Sequence, residues 1–168
     1  MPEAEDKLTT DFSPTFRFAD WPNKDIPPVA AGVYAIWHNE DLIYCGMSGR
    51  EIEKAVTQGK KKYGLVTRLA SHATGRLSGD QFCVYVANRL VIPALKPEDL
   101  ARFATGEYRL DTFTRQFIHE HLGYQYAIVE SSKEAYDLEL KARRGEIFGQ
   151  LPMLNLFPST SEKKPISG

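Results

Sequence analysis

Five side chains in this sequence have the types to act on a phosphate and on water: Tyr34, Tyr44, Arg68, His72 and Glu139. The tyrosines sit in Gly32-Val33-Tyr34 and Tyr44-Cys45-Gly46, where two phenols could project together beside a glycine that allows close approach. Arg68 and His72 are four apart, so on a helix they share a face. A guanidinium can grip a phosphate through two donors. A histidine beside it can accept or relay a proton near neutral pH. Glu139 is a reasonable single carboxylate for Mg²⁺, which keeps most of its waters and takes one or two protein oxygens plus substrate phosphate. Asn155 ends the run Gly149-Gln150-Leu151-Pro152-Met153-Leu154-Asn155 and can hydrogen-bond backbone or a site residue. Each residue also has a plainer reading. Tyrosines pack well in strands, and exposed charged pairs at helical spacing are routine. Glu139 with Arg143 suits an ion pair at i, i+4, and a lone asparagine is a turn former. Arg115 and His119 repeat the Arg-x-x-x-His spacing, so spacing alone does not single out a site.

The elements that must position these groups are readable. Val33-Tyr34-Ala35-Ile36-Trp37 and Leu42-Ile43-Tyr44-Cys45 flank polar His38-Asn39-Glu40-Asp41, which is a strand, turn, strand signal over 32–38 and 41–46. With the turn centred on Asn39, Tyr34 faces Tyr44, and partners across a strand pair have Cβ atoms roughly 5 Å apart. A helix is predicted over 64–74, with Leu65, Val66, Leu69 and Ala73 as its buried stripe, and a strand over 81–87. Pro97 opens a short helix that Gly106 closes. Asp111 is the expected N-cap of a helix ending at Gly123, and a strand follows over 124–129. Ser131 and Glu134 have capping-box spacing for a helix ending at Gly145, with Ala135, Leu138 and Ala142 facing the core. The predicted fold is α/β of the α+β kind: a small, mainly antiparallel sheet of three to four strands flanked by helices.

One domain is expected over 29–158, with a helical insertion at about 88–123, an N-terminal arm over 1–28 and a disordered tail over 159–168. No apolar run approaches the ~20 residues of a membrane helix, and no signal-peptide core is visible, so the expected setting is cytoplasmic and away from membranes. Cys45 and Cys83 lie in apolar, strand-like runs and read as small buried residues. The net charge of −1 excludes a global electrostatic footprint for nucleic acid. Any such binding needs a local patch, and Arg50, Lys54, Lys60, Lys61 and Lys62 are the candidates to contact phosphates. The plain alternative for that run is a solvated loop.

Taken in order, Gly-Val-Tyr, Tyr-Cys-Gly, a helix with Arg-x-x-x-His, a helix with Leu-Glu, and Pro-Met-Leu-Asn resemble the GIY-YIG nuclease family over roughly residues 30–157. The resemblance implies a stand-alone or restriction-endonuclease-like enzyme hydrolysing phosphodiester bonds with Mg²⁺ or Mn²⁺, most readily in DNA. It implies catalytic roles for Tyr34, Tyr44, Arg68, His72, Glu139 and Asn155, with Glu139 as the metal ligand and Gly46 as a structural position. Val33 and Cys45 replace the usual isoleucines, and the segment over 47–67 is longer than in compact members. Glu146 lies nearer Asn155 but follows the helix-ending Gly145, so Glu139 takes the match. Two alternatives stand beside this reading: a non-catalytic nucleic-acid or protein binding module on the same fold, and an RNA-directed nuclease. The oligomeric state stays open, with a homodimer or a partner protein as the candidates.

Overall fold

The structure, a computed structural model, describes residues 11–155. It is an α+β fold. Five strands form the sheet: β1 Phe16–Arg17, β2 Val29–His38, β3 Asp41–Ser48, β4 Tyr63–Gly64 and β5 Leu122–Val129. The order is β1-β5-β2-β3, all antiparallel, and β4 adds a short parallel pairing to the start of β2. Gly64 makes that pairing possible, because a Cβ there would overlap the Ala30 carbonyl oxygen. The tail expected over 159–168 and the first ten residues of the expected arm lie outside the described residues. The rest of the arm is folded, with Phe12 and Phe18 buried and β1 paired to β5.

Central β2 is covered on both faces, which explains its nearly continuous apolar run. Tyr34 and Ile36 face one core with Leu65, Leu69, Phe82, Val86 and Ile118. Val33 and Ala35 face the other with Phe12, Cys45, Ala127 and Ala142. The hairpin register corrects the expected one. Tyr34 pairs with Gly46, and Tyr44 pairs with Ile36. Two displacements of one residue cause this. The turn is centred between Asn39 and Glu40, with Asn39 in the left-handed region at φ 55°, and a bulge falls between Ile36 and Trp37. Their sum is even, so Tyr34 and Tyr44 still share a face, now as diagonal neighbours.

Six helices are described: α1 Ile52–Thr57, α2 Leu65–Ala73, α3 Gln81–Val86, α4 Pro97–Ala104, α5 Leu110–His121 and α6 Ser132–Arg143. The strand expected over 81–87 is a helix, prolonged by a π-helical turn over Ala87–Val91. A short apolar run cannot by itself be told from a buried helix. Here Asp80 decides it, because its carboxylate caps the helix by accepting from the Cys83 N–H, and Phe82, Cys83 and Val86 turn inward. Both cysteines are buried and free, Cys83 on this helix rather than a strand. Arg109, not Asp111, is the N-cap residue of α5, and α5 runs directly into β5 at Leu122 rather than ending at Gly123. Asp111 instead accepts a hydrogen bond from the Leu77 N–H. Ser131 caps α6 through the Glu134 N–H as expected. Among the described residues no helix is long and apolar enough to cross a membrane.

Candidate functional site

On the Tyr34 face of the sheet, β2, β3, α2 and α3 enclose a cleft of about 410 Å³. The groups that matter in it are Tyr34, Tyr44, Arg50, Arg68, His72 and Glu139. At its floor three buried side chains form a chain of hydrogen bonds. The Tyr34 hydroxyl lies 2.8 Å from His72 Nε2, and His72 Nδ1 lies 2.7 Å from Asp80 Oδ2. Asp80 also accepts from the Ser71 hydroxyl at 2.6 Å and from the Cys83 N–H at 3.1 Å. An ionised Asp80 can only accept, so His72 carries its proton on Nδ1 and Nε2 accepts from Tyr34. Tyr34, His72 and Asp80 are 2%, 2% and 3% exposed, so water does not compete for these bonds.

Helical and strand geometry bring this chain together. Leu65, Leu69 and Ala73 bury one side of α2 and carry His72 inward with them. Asp80 caps α3 at the same level. Gly46 lies across from Tyr34, and its missing Cβ is what gives the phenol room, since a methyl there would collide with the phenol oxygen. The Tyr44 ring lies 6.2 Å from that of Tyr34 and 6.1 Å from His72, with Phe82 closing the wall 4.6 Å from His72.

Burial sets the proton affinities. It pushes the Tyr34 phenol well above its ordinary value, with Tyr44 adding to the effect and Arg68 opposing it. Tyr44 is pushed up to about 12 by burial, then by Glu139 and Asp80. Burial also holds His72 below its ordinary 6.5, against the pull of the Asp80 hydrogen bond. For Asp80 burial acts upward, but hydrogen bonds from His72, Ser71 and the Cys83 N–H outweigh it and bring the carboxyl down to about 2. At neutral pH the resting chain is therefore a neutral phenol, a neutral imidazole and a carboxylate.

Glu139 belongs to α6, which packs on the opposite face through Leu138 and Ala142, yet it lines the same cleft at the edge strand β3. Its side chain is 17% exposed, and Arg143 Nη1 lies 3.6 Å away, so the expected i, i+4 pair forms as well. Burial raises its pKa, and Arg143 and Arg50 partly offset that. A desolvated carboxylate facing a polar opening gains from a nearby cation. One such group suits Mg²⁺, which retains its waters and takes few protein oxygens. Among the described residues no group of three or more His, Cys, Asp or Glu side chains forms a cage for a metal ion.

Arg68 lines the cleft from the exposed side of α2, one turn from His72. Asn155 does not line it. Its side chain accepts from the Cys45 N–H at 2.8 Å and donates to the Cys45 carbonyl at 3.1 Å, clamping the outer edge of β3 between Tyr44 and Gly46. Gln150 does the same further along, accepting from the Leu42 N–H and donating to the Glu40 carbonyl. Arg50 enters the cleft, whereas Lys54, Lys60, Lys61 and Lys62 are exposed on and after α1 and do not line it. The second pair separates from the site: His119 Nε2 bonds the Ala73 carbonyl at 2.7 Å, and Arg115 is exposed on α5. Asp80, Ser71, Gln81 and Phe82 went unpredicted. The signal for Asp80 was an N-cap residue before an apolar run, and it was hidden by reading that run as a strand.

What the fold and cleft define is a small α+β protein with a buried Tyr-His-Asp chain at a cleft lined by two arginines and one carboxylate. No family model, no curated protein and no solved structure matches the chain.

Proposed function

We propose that this protein is a divalent-metal-dependent endonuclease that hydrolyses phosphodiester bonds, with DNA as its polymer and the cytoplasm as its setting. One observation carries the reading: the Tyr34–His72–Asp80 chain ends in a cleft that also holds Arg68 and Glu139. The motif order that resembles GIY-YIG nucleases supports it independently. Glu139 would hold Mg²⁺ or Mn²⁺, which supplies Lewis-acid stabilisation of charge on the phosphate.

The protein's own groups do the rest. Arg68 faces the phosphate and offsets negative charge that develops on its oxygens. Tyr34 orients the attacking water. As the water oxygen bonds to phosphorus, its proton passes to the Tyr34 oxygen while the Tyr34 proton passes to His72 Nε2. The bond to the 3′-oxygen breaks, and that oxygen takes a proton from solvent. His72 becomes an imidazolium facing the Asp80 carboxylate, so the buried pair ends neutral overall. Because the phenol gains and loses a proton together, its raised pKa is no obstacle: Tyr34 never has to exist as a phenolate. Tyr44 packs beside it and limits water at the relay. Asn155 acts on the site only through the β3 backbone.

The test is incubation of the purified protein with supercoiled plasmid, single-stranded DNA and RNA, in Mg²⁺ or EDTA, alongside Glu139→Ala. The expected outcome is cleavage of DNA in Mg²⁺, none in EDTA, and none by a folded Glu139→Ala protein. Cleavage of RNA alone would redirect the substrate. A folded Glu139→Ala protein cutting at the wild-type rate, or no cleavage of any polymer, overturns the reading.

A further inference from the structure

A second cleft of about 200 Å³ adjoins the first. It lies where β3 ends and α2 begins, and Gly49, Arg50, Tyr63, Gly64, Thr67 and Arg68 form its walls. Arg50 and Arg68 line both clefts. No carboxylate lines the second cleft, whereas the first holds Glu139. Among the described residues neither arginine is in an ion pair. At its outer end the Lys60 ammonium lies 4.9 Å over the Tyr63 ring, and the Tyr63 hydroxyl accepts from the Glu51 N–H at 3.2 Å. That wall is fixed and positively charged at its rim.

We propose that this second cleft is a subsite for a backbone phosphate of the same strand, next to the one held at Glu139; this rests on the nuclease reading above. Two guanidiniums outside any ion pair, on the wall of a recess that no carboxylate lines, suit a phosphodiester. Their place between the clefts lets one charged pair span two successive phosphates. It also explains how a chain with net charge −1 holds a polyanion: the positive charge is concentrated along one path. The exposed Lys60–Lys62 run continues that path past Tyr63.

Thr67→Asp tests the subsite without touching the relay or Glu139. Thr67 is exposed in the first turn of α2; Asp there gives up the hydrogen bond of the Thr67 hydroxyl to the Gly64 carbonyl but gains from its place at the helix start, and a thermal melt checks that the variant folds. Affinity for a labelled DNA oligonucleotide is read by anisotropy in Ca²⁺, and cleavage in Mg²⁺. Thr67→Asp should weaken binding roughly tenfold or more, the scale of one lost charge-assisted contact, and should raise KM. In wild type, neutral methylphosphonate linkages scanned along the oligonucleotide should reproduce that loss at one linkage, and the same linkage should cost Thr67→Asp nothing further. Wild-type affinity in Thr67→Asp, or no sensitive linkage, overturns the subsite while cleavage by the wild type leaves the nuclease reading standing. A wild-type protein that binds the oligonucleotide but never cuts it overturns the nuclease reading, and the binding measurements still decide the subsite. Failure to bind any polynucleotide overturns both.

Discussion

At the scale of residues, the Tyr34–His72–Asp80 chain is where the proposed chemistry and stability are coupled. Asp80 sits at about 2 in the folded protein against an ordinary 3.8, a shift worth about 2 kcal/mol by linkage. A depressed carboxyl contributes stability that is present above its unfolded value and lost as pH falls toward its folded one. Asp80→Asn should therefore be less stable than wild type at neutral pH, and the part of the gap that comes from the carboxyl should close as pH falls from about 4 toward 2 in chemical denaturation. His72 adds a second effect in the same direction. Its folded pKa is lowered from 6.5, so the unfolded chain binds the proton more readily and stability declines as pH drops below about 6.5. On the proposed reading Asp80→Asn should also cut the single-turnover rate by roughly 10²-fold or more, because the imidazolium loses its counter-charge. Its acid limb should move to lower pH, a displacement that a purely structural role for Asp80 does not produce. Tyr34→Phe isolates the phenol oxygen. Its ring packing is kept, so stability should change by about 0.5–1.5 kcal/mol, the scale of one hydrogen bond. Cleavage should fall by roughly 10²-fold or more while oligonucleotide binding in Ca²⁺ persists. Normal cleavage by that variant would remove Tyr34 from the mechanism.

At the scale of elements, the hairpin is the critical part. Its register sets a glycine against Tyr34, and the bulge at Ile36/Trp37 decides that register. Gly46→Ala forces a methyl into the phenol, so the ring must leave its place against His72. The expected cost is about 1–3 kcal/mol of stability, as for overpacking elsewhere, with a larger proportional loss of activity than of stability. Thermal melts and single-turnover rates on the same preparation separate the two. Among the described residues, the outer edge of β3 is closed by amide side chains instead of a further strand: Asn155 at Cys45 and Gln150 at Leu42. An edge strand with open backbone groups invites pairing with other chains, and these two amides occupy part of that edge. The caps of α3 and α6 show how one local rule can succeed or mislead. Ser131 was legible because a helical pattern follows it, whereas Asp80 was not, because the five apolar residues Phe82 to Val86 fit strand and helix alike.

At the scale of the whole molecule, the site lies at an edge and both faces of the sheet contribute to it. Tyr34, Arg68 and His72 come from the side of α2, and Glu139 arrives from the side of α6. Any change in how the two layers sit on β2 and β3 moves Glu139 relative to the Tyr34–His72–Asp80 chain. Phe18 reports on this. It precedes the central strand, is fully buried, and packs 4.8 Å from the Tyr124 ring on the α5 side. Phe18→Ala should cost about 3–5 kcal/mol, the usual range for deleting a buried aromatic ring. Urea denaturation measures the loss, and a change below 1 kcal/mol would show that the arm is not part of the folding unit.

The sequence by itself determined what is local. Alternation and a polar turn specified the hairpin and the shared face of Tyr34 and Tyr44, helical spacing placed Arg68 beside His72, and capping chemistry marked the start of α6. Those signals act over a few residues, where periodicity and backbone hydrogen bonding are enough. The tertiary structure decided everything that joins distant segments. It set the register through a bulge, turned 81–86 into a helix, brought Asp80 and Tyr34 to one imidazole, and sent Asn155 to the edge of β3 instead of into the cleft. It also put Arg50 and Arg68 on the walls of the same two recesses. These contacts depend on how layers of side chains pack, and in a close-packed interior a one-residue shift redirects a whole face.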